Sequence, residues 1–221
     1  MAEDLTEIII IRATEIIILT EIINFNFHSN FNFYFNREIV FNWSPYLCHA
    51  PKYNNDLDQN LIISPAKICS HGKIQVIFCR SLNSKLKPFP NNFWLTCPYL
   101  IKLASKIEAD GGVHDLQKYL TGNNKSHDWN KFNYLHQIIR INLIDLNTRR
   151  FLRKYRPKIF NSLRLNGIGG INYKSKSGIN IKCLHLQTAS YLALNFHPGS
   201  EWLNSKNLNL NAECNCPEKF I

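Results

Sequence analysis

The chain of 221 residues carries 26 Lys and Arg against 16 Asp and Glu, a formal net charge of +10. Hydrophobic residues at 45% and aromatics at 12% are ample for a buried core, which excludes a chain disordered throughout. Its 28 Asn and 27 Ile against 9 Ala belong to AT-rich codons, so scattered surface Lys and Asn weigh little as functional signals, and an AT-rich bacterial or plastid gene is the expected source.

The charge is unevenly placed. Residues 1–60 hold three basic and eight acidic residues, a balance of −5, whereas residues 61–221 hold 23 basic and 8 acidic, a balance of +15. An acidic extension on a basic body is expected, and a basic body suits anionic partners. The seven Cys stand at 48, 69, 79, 97, 183, 214 and 216. The opening Ala2-Glu3-Asp4 is acidic where a secretory signal needs basic residues, so the expected compartment is reducing: cytoplasm, or plastid stroma if the gene is organellar. The thiols are then expected to be free or metal-bound.

In chain order, residues 5–23 echo Thr-Glu-Ile-Ile three times, but Glu7, Arg12, Glu15 and Glu21 interrupt the apolar run. It falls short of the roughly 20 residues a membrane span needs, and no transmembrane segment is expected. Asn and Phe alternate over 24–36, and Pro51 to Asn60 reads as a linker, so 1–60 is taken as an N-terminal extension and 61–221 as a single domain. Ile62 to Cys69 and Lys73 to Arg80 have strand composition, with Ser70-His71-Gly72 suited to a tight hairpin. Pro88 to Leu95 reads as a short aromatic strand that turns at Thr96-Cys97-Pro98 into a helix whose apolar positions fall at Leu100, Leu103, Ala104 and Ile107. Gly111-Gly112 supplies a left-handed stop.

Beyond it the chain reads as helical. Val113 to Leu120, Trp129 to Leu146 and Thr148 to Leu165 are expected helices, the last bent at Pro157. Arg149, Arg150, Arg153, Lys154, Arg156 and Lys158 make six of ten consecutive residues basic, a solvated helix face or a phosphate-backbone contact. Asn166-Gly-Ile-Gly-Gly-Ile lacks the dinucleotide fingerprint and is expected to be a flexible turn. A final helix spans Ile181 to Asn195; Cys183 and His185 would then lie about 200° apart on it, and only a later helix start would let them share a ligand. The fold class expected is α+β, a short antiparallel hairpin or sheet followed by a mostly helical C-terminal half.

Residues 62 to 216 resemble a family known as domain of unknown function 501. The matching pieces are Cys69-Ser-His-Gly72, Pro88-Phe-Pro90, Trp94-Leu-Thr-Cys-Pro98, Glu108 with Gly111-Gly112, Gly167-Ile-Gly-Gly170, and Lys182-Cys-Leu-His185 with Ala189. The resemblance implies a shared fold and no particular activity. It also implies that Cys69, Cys97, Cys183 and His185 belong together.

Four readings remain open at this stage. Cys69, Cys97 and Cys183, with His185 or one of Cys214 and Cys216, would supply soft ligands for zinc or an iron–sulfur cluster. Cys97 at a helix start, with His185 as base, would suit a thiol enzyme. The basic segment would suit a module that docks on RNA or an acidic protein, and buried cysteines would serve simply as small hydrophobes. Cys69, Cys97 and Cys183 all fall at element ends, where distant segments converge, so they are expected on one side of the body.

Overall fold

The computed structural model describes residues 59–209, apart from Pro90 and residues 175–177. The expected extension, and Cys214 and Cys216, lie outside the described residues. Three strands form an antiparallel meander in the order β1 (Ile62–Ile68), β2 (Ile74–Cys79), β3 (Phe93–Leu95). Ile68 pairs with Ile74 across the hairpin, and Ile77 pairs with Trp94 in the second ladder. The turn between β1 and β2 closes through Cys69 N–H donating to the Lys73 carbonyl at 2.9 Å, with Gly72 at φ +72°. That conformation favours glycine, as Ser-His-Gly led one to expect.

Among the described residues seven α-helices follow: α1 (Pro98–Ala109), α2 (Gly112–Gly122), α3 (Ser126–Asn142), α4 (Leu146–Tyr155), α5 (Pro157–Leu165), α6 (Leu184–Leu194) and α7 (Ser200–Ser205). The architecture is α+β, as the sequence led one to expect. The segment expected as one bent helix is two, because the residue before a proline is driven out of the helical region: Arg156 sits at φ −137°, ψ 58°. The last long helix begins at Leu184, three residues later than expected, and Cys183 is extended at φ −153°, ψ 154°.

Helix α6 is the centre. Of its residues all but His185 are buried, polar Gln187, Thr188 and Ser190 included. It packs against β3 and α1, with further contacts to β1 and β2. Around it, Leu100, Phe132, Ile139, Leu184 and Leu192 are buried, while Leu103, Leu135 and Ile107 reach the boundary. A smaller apolar cluster of Ile144, Leu152 and Leu163 seats α4 and α5.

The glycine loop departs from expectation. It is no flexible turn. Arg140, itself buried, donates from Nη1 to the Asn166 carbonyl at 3.0 Å and from Nη2 to the Gly167 carbonyl at 2.6 Å. Asn133 Oδ1 accepts from Ile168 N–H at 3.1 Å. A Cβ on Gly167 would lie 2.1 Å from that same Oδ1. Gly167→Ala is therefore expected to cost about 2–4 kcal/mol, combining overpacking with loss of the Asn133 contact. Gly122→Ala meets nothing within 4 Å and is expected to be neutral or to stabilise by up to about 1 kcal/mol. Denaturant midpoints of the two variants check the contrast.

Two buried histidines share the aromatic part of the core, with Phe132 4.7 Å from both rings, centroid to centroid. Gly199 N–H donates to His197 Nδ1 at 2.9 Å, so Nε2 carries the proton and donates to Gln187 Oε1 at 2.9 Å. Burial lowers His136 to about 3, helped by the charge of Arg140 and by His197, and burial alone lowers His197 to about 3. Both rings are thus neutral when folded but titrate near their ordinary value once unfolded. Their contribution is present above pH 6.5 and is lost as pH falls from there toward 3. Each histidine is expected to remove about 2 kcal/mol by pH 5. Urea midpoints between pH 7 and 5 check this: wild type should lose stability across that range, and His136→Phe should lose less.

Candidate functional site

Helix α1 forms because Pro98 opens it and Gly111, at φ +88°, stops it. The face of α1 at Ile101, Ser105 and Glu108 follows helical steps of four and three. These three residues meet the start of α6. The close approach there depends on Gly112, where a Cβ would come within 2.4 Å of the Ile107 side chain and 3.1 Å of Leu184.

Glu108 Oε1 accepts the Leu184 amide, one of the first amides of α6, which have no partner within the helix. The same oxygen lies 3.1 Å from His185 Nδ1. On the other side of the ring, Nε2 lies 3.0 Å from Ser105 Oγ and 3.2 Å from the Ile101 carbonyl. Cys183 completes the cluster. One ligating atom from each of Glu108, Cys183 and His185 lies within 4.8 Å of the other two, the one such group of three His, Cys, Asp or Glu residues among the described residues. All three are half-buried. The Cys183 thiol is pushed up chiefly by burial; the Leu186 amide pulls it down, the charge of Glu108 raises it further, and Lys182 and the His185 amide oppose that. A thiol held neutral in this way is a poor nucleophile, although a cation between it and the carboxylate would reverse the balance.

Of the residues expected from sequence, this group takes Cys183 and His185. Cys69, half-buried at the hairpin turn, and Cys97, buried at the position preceding α1, stand outside it. The extended backbone of Cys183 is what lets it meet His185, since the helix starts one residue later. Cys79 is a small hydrophobe: it is buried, and desolvation pushes its thiol up to about 12. Glu108 was singled out only within the family resemblance. Its spacing from Ile101 and Ser105, beside the apolar stripe of α1, was the available signal.

The basic segment lies apart, on α4 and α5. Arg150, Arg153, Lys154, Arg156 and Lys158 are exposed, and none of them has an acidic partner among the described residues. Arg149 differs: it is half-buried and donates from Nε to the Ile144 carbonyl at 2.6 Å, securing the start of α4. Phe151 is 42% and Tyr155 61% exposed, their ring centroids 5.1 Å apart, with the Lys154 ammonium 5.0 Å from the centre of the Tyr155 ring. No described helix is long and apolar enough to cross a membrane.

Glu108→Ala removes the acceptor for Leu184 N–H and is expected to cost about 1–2 kcal/mol. Glu108→Gln keeps an acceptor there and should recover most of that loss, as urea unfolding of both variants would show.

No curated protein and no solved structure matches the chain. Residues 65–205 match the family model described as "Protein of unknown function (DUF501)". The motifs that meet at the α1–α6 seam and in the Gly167 loop lie inside that stretch, and the chain belongs to this family.

Proposed function

We propose that the protein is a basic binding module that takes single-stranded RNA on α4 and α5. The observation that carries this reading is one exposed surface combining Arg and Lys, unopposed by acidic side chains, with two open aromatic rings. From Leu146 to Ser200 the sequence contains no acidic residue at all, while ten positions are Lys or Arg. Drift toward AT-rich codons favours Lys, yet four of the nine Arg in the chain fall between 149 and 156. Arg matches phosphate geometry in a way that Lys does not.

The rings separate RNA from an acidic protein partner. Carboxylates would be satisfied by the cations alone, leaving Phe151 and Tyr155 wet. Unstacked bases cover such rings, each stack contributing about 1–3 kcal/mol. Helices α4 and α5 rest on the body through Ile144, Leu152 and Leu163, so the opposite face is free to accept a strand.

Anisotropy titration of a labelled single-stranded RNA at 50 and 200 mM salt tests the reading. Neutralising about five phosphates should weaken binding about a hundredfold between the two salts. Arg150→Glu with Arg153→Glu and Lys154→Glu should abolish it, and Phe151→Ala or Tyr155→Ala should each weaken it by about fivefold or more. Absence of wild-type binding at low salt would remove the proposal. Binding that is salt-dependent but indifferent to both rings would point to an acidic protein surface instead.

A further inference from the structure

We propose that Glu108, Cys183 and His185 ligate a zinc ion at the seam of α1 and α6, leaving a fourth position open to water or an incoming donor. This site is independent of the RNA reading, since it shares no residue with α4 or α5.

The donor set comes first. A thiolate, an imidazole and a carboxylate together suit a borderline-soft divalent ion, whereas magnesium and calcium prefer oxygen alone. The group offers a single thiolate, which does not fit an iron–sulfur cluster held mainly by cysteines. Spacing agrees. With zinc about 2.0–2.1 Å from nitrogen and oxygen, two tetrahedral ligands stand about 3.3 Å apart. His185 Nδ1 and Glu108 Oε1 are already 3.1 Å apart, and the full set fits within 4.8 Å.

The surroundings of the ring carry the second argument. The Ile101 carbonyl at Nε2 only accepts, so it serves the tautomer that carries its proton on Nε2. In that tautomer Nδ1 presents its lone pair toward the Glu108 carboxylate, and a cation placed between them would be held by both. Ligating histidines are commonly fixed in this manner, one nitrogen on the metal and the other donating to a carbonyl. Glu108 is fixed as well, through the Leu184 amide. Both supporting contacts come from helix backbone, so the ligands are held before any ion arrives. Coordination requires the thiolate, and the Cys183 proton leaves to solvent as the ion binds.

Cobalt serves as the spectroscopic probe, added to the purified full chain under reducing conditions. One cobalt per chain is expected, with tetrahedral d–d bands and a thiolate-to-cobalt charge-transfer band, and zinc should displace it. Cys183→Ser should abolish the charge-transfer band. Glu108→Gln and His185→Gln should each weaken cobalt binding at least tenfold, with near-ultraviolet circular dichroism confirming that each variant is folded. A Cys214→Ser/Cys216→Ser double variant should keep the band. The proposal is overturned if wild type binds no stoichiometric cobalt, if the band survives Cys183→Ser, or if it is lost in the double variant. If Cys183→Ser fails to fold, an unchanged cobalt affinity in folded His185→Gln would overturn it equally. RNA affinity of the same variants separates the two proposals, because it should not change.

Discussion

Burial of α6 on every side constrains the rest of the structure. A helix that water cannot reach must find protein partners for its terminal amides, since an unsatisfied buried amide costs about 1–3 kcal/mol. Cys183, at the position where a hydroxyl or carboxylate would ordinarily cap the helix, makes no side-chain cap hydrogen bond. The partner comes from α1 in the form of Glu108. The carboxylate is therefore placed by the needs of the core. Cys183 and His185 then fall beside it because they flank the first residue of the same helix. The chemistry of the seam arises where the central helix is most in need of an acceptor.

A second set of buried polar contacts anchors the segment leading into that helix. Arg140 and Asn133 fix the Gly167 loop to α3, and Lys182 Nζ donates to the Gly169 carbonyl at 2.5 Å. Lys182 directly precedes Cys183, so the loop, the extended entry to α6 and the thiol form one connected unit. Gly169, at φ +59°, lies so close to Leu186 that a Cβ would come within 2.7 Å of it. The glycines here serve close packing as much as turning, and the loop is rigid because three side chains hold it.

These relations explain which features were legible in the sequence. The β1–β2 hairpin, the aromatic strand and the stripe of α1 were readable because local period and turn chemistry reported them. The start of α6 was misplaced although a signal existed: Ile179, Asn180, Ile181 and Lys182 alternate buried and exposed, the pattern of an extended chain. Once inside, α6 is buried around its circumference, polar Gln187, Thr188 and Ser190 included, and offers no clean apolar stripe to orient it. Arg140 and Asn133 were invisible for a different reason. Their partners lie 26 to 35 residues away, and no local pattern encodes such a contact. Pro157 was read correctly as a disruption but too weakly, since Arg156 leaves the helical region altogether.

The same physics separates the two candidate surfaces. At the α1–α6 seam Glu108 and His185 are tied to helix backbone, so substitutions there act on packing and chemistry together. On α4 and α5 the arrangement is reversed. Leu152 is the one residue of α4 that is fully buried, and Leu163 plays that part in α5. Apart from half-buried Thr148, Arg149, Ile159 and Phe160, the other side chains of the pair are exposed, and exposed positions away from caps tolerate change with little effect on stability. Arg149 marks the boundary, because its guanidinium closes the Ile144 carbonyl at the end of the preceding turn. A helix that needs so little of its surface for folding is free to concentrate charge, and like charges this close repel one another. An anionic strand laid across the face would relieve that repulsion, so the features that burden α4 in isolation would favour the bound state of the proposed module.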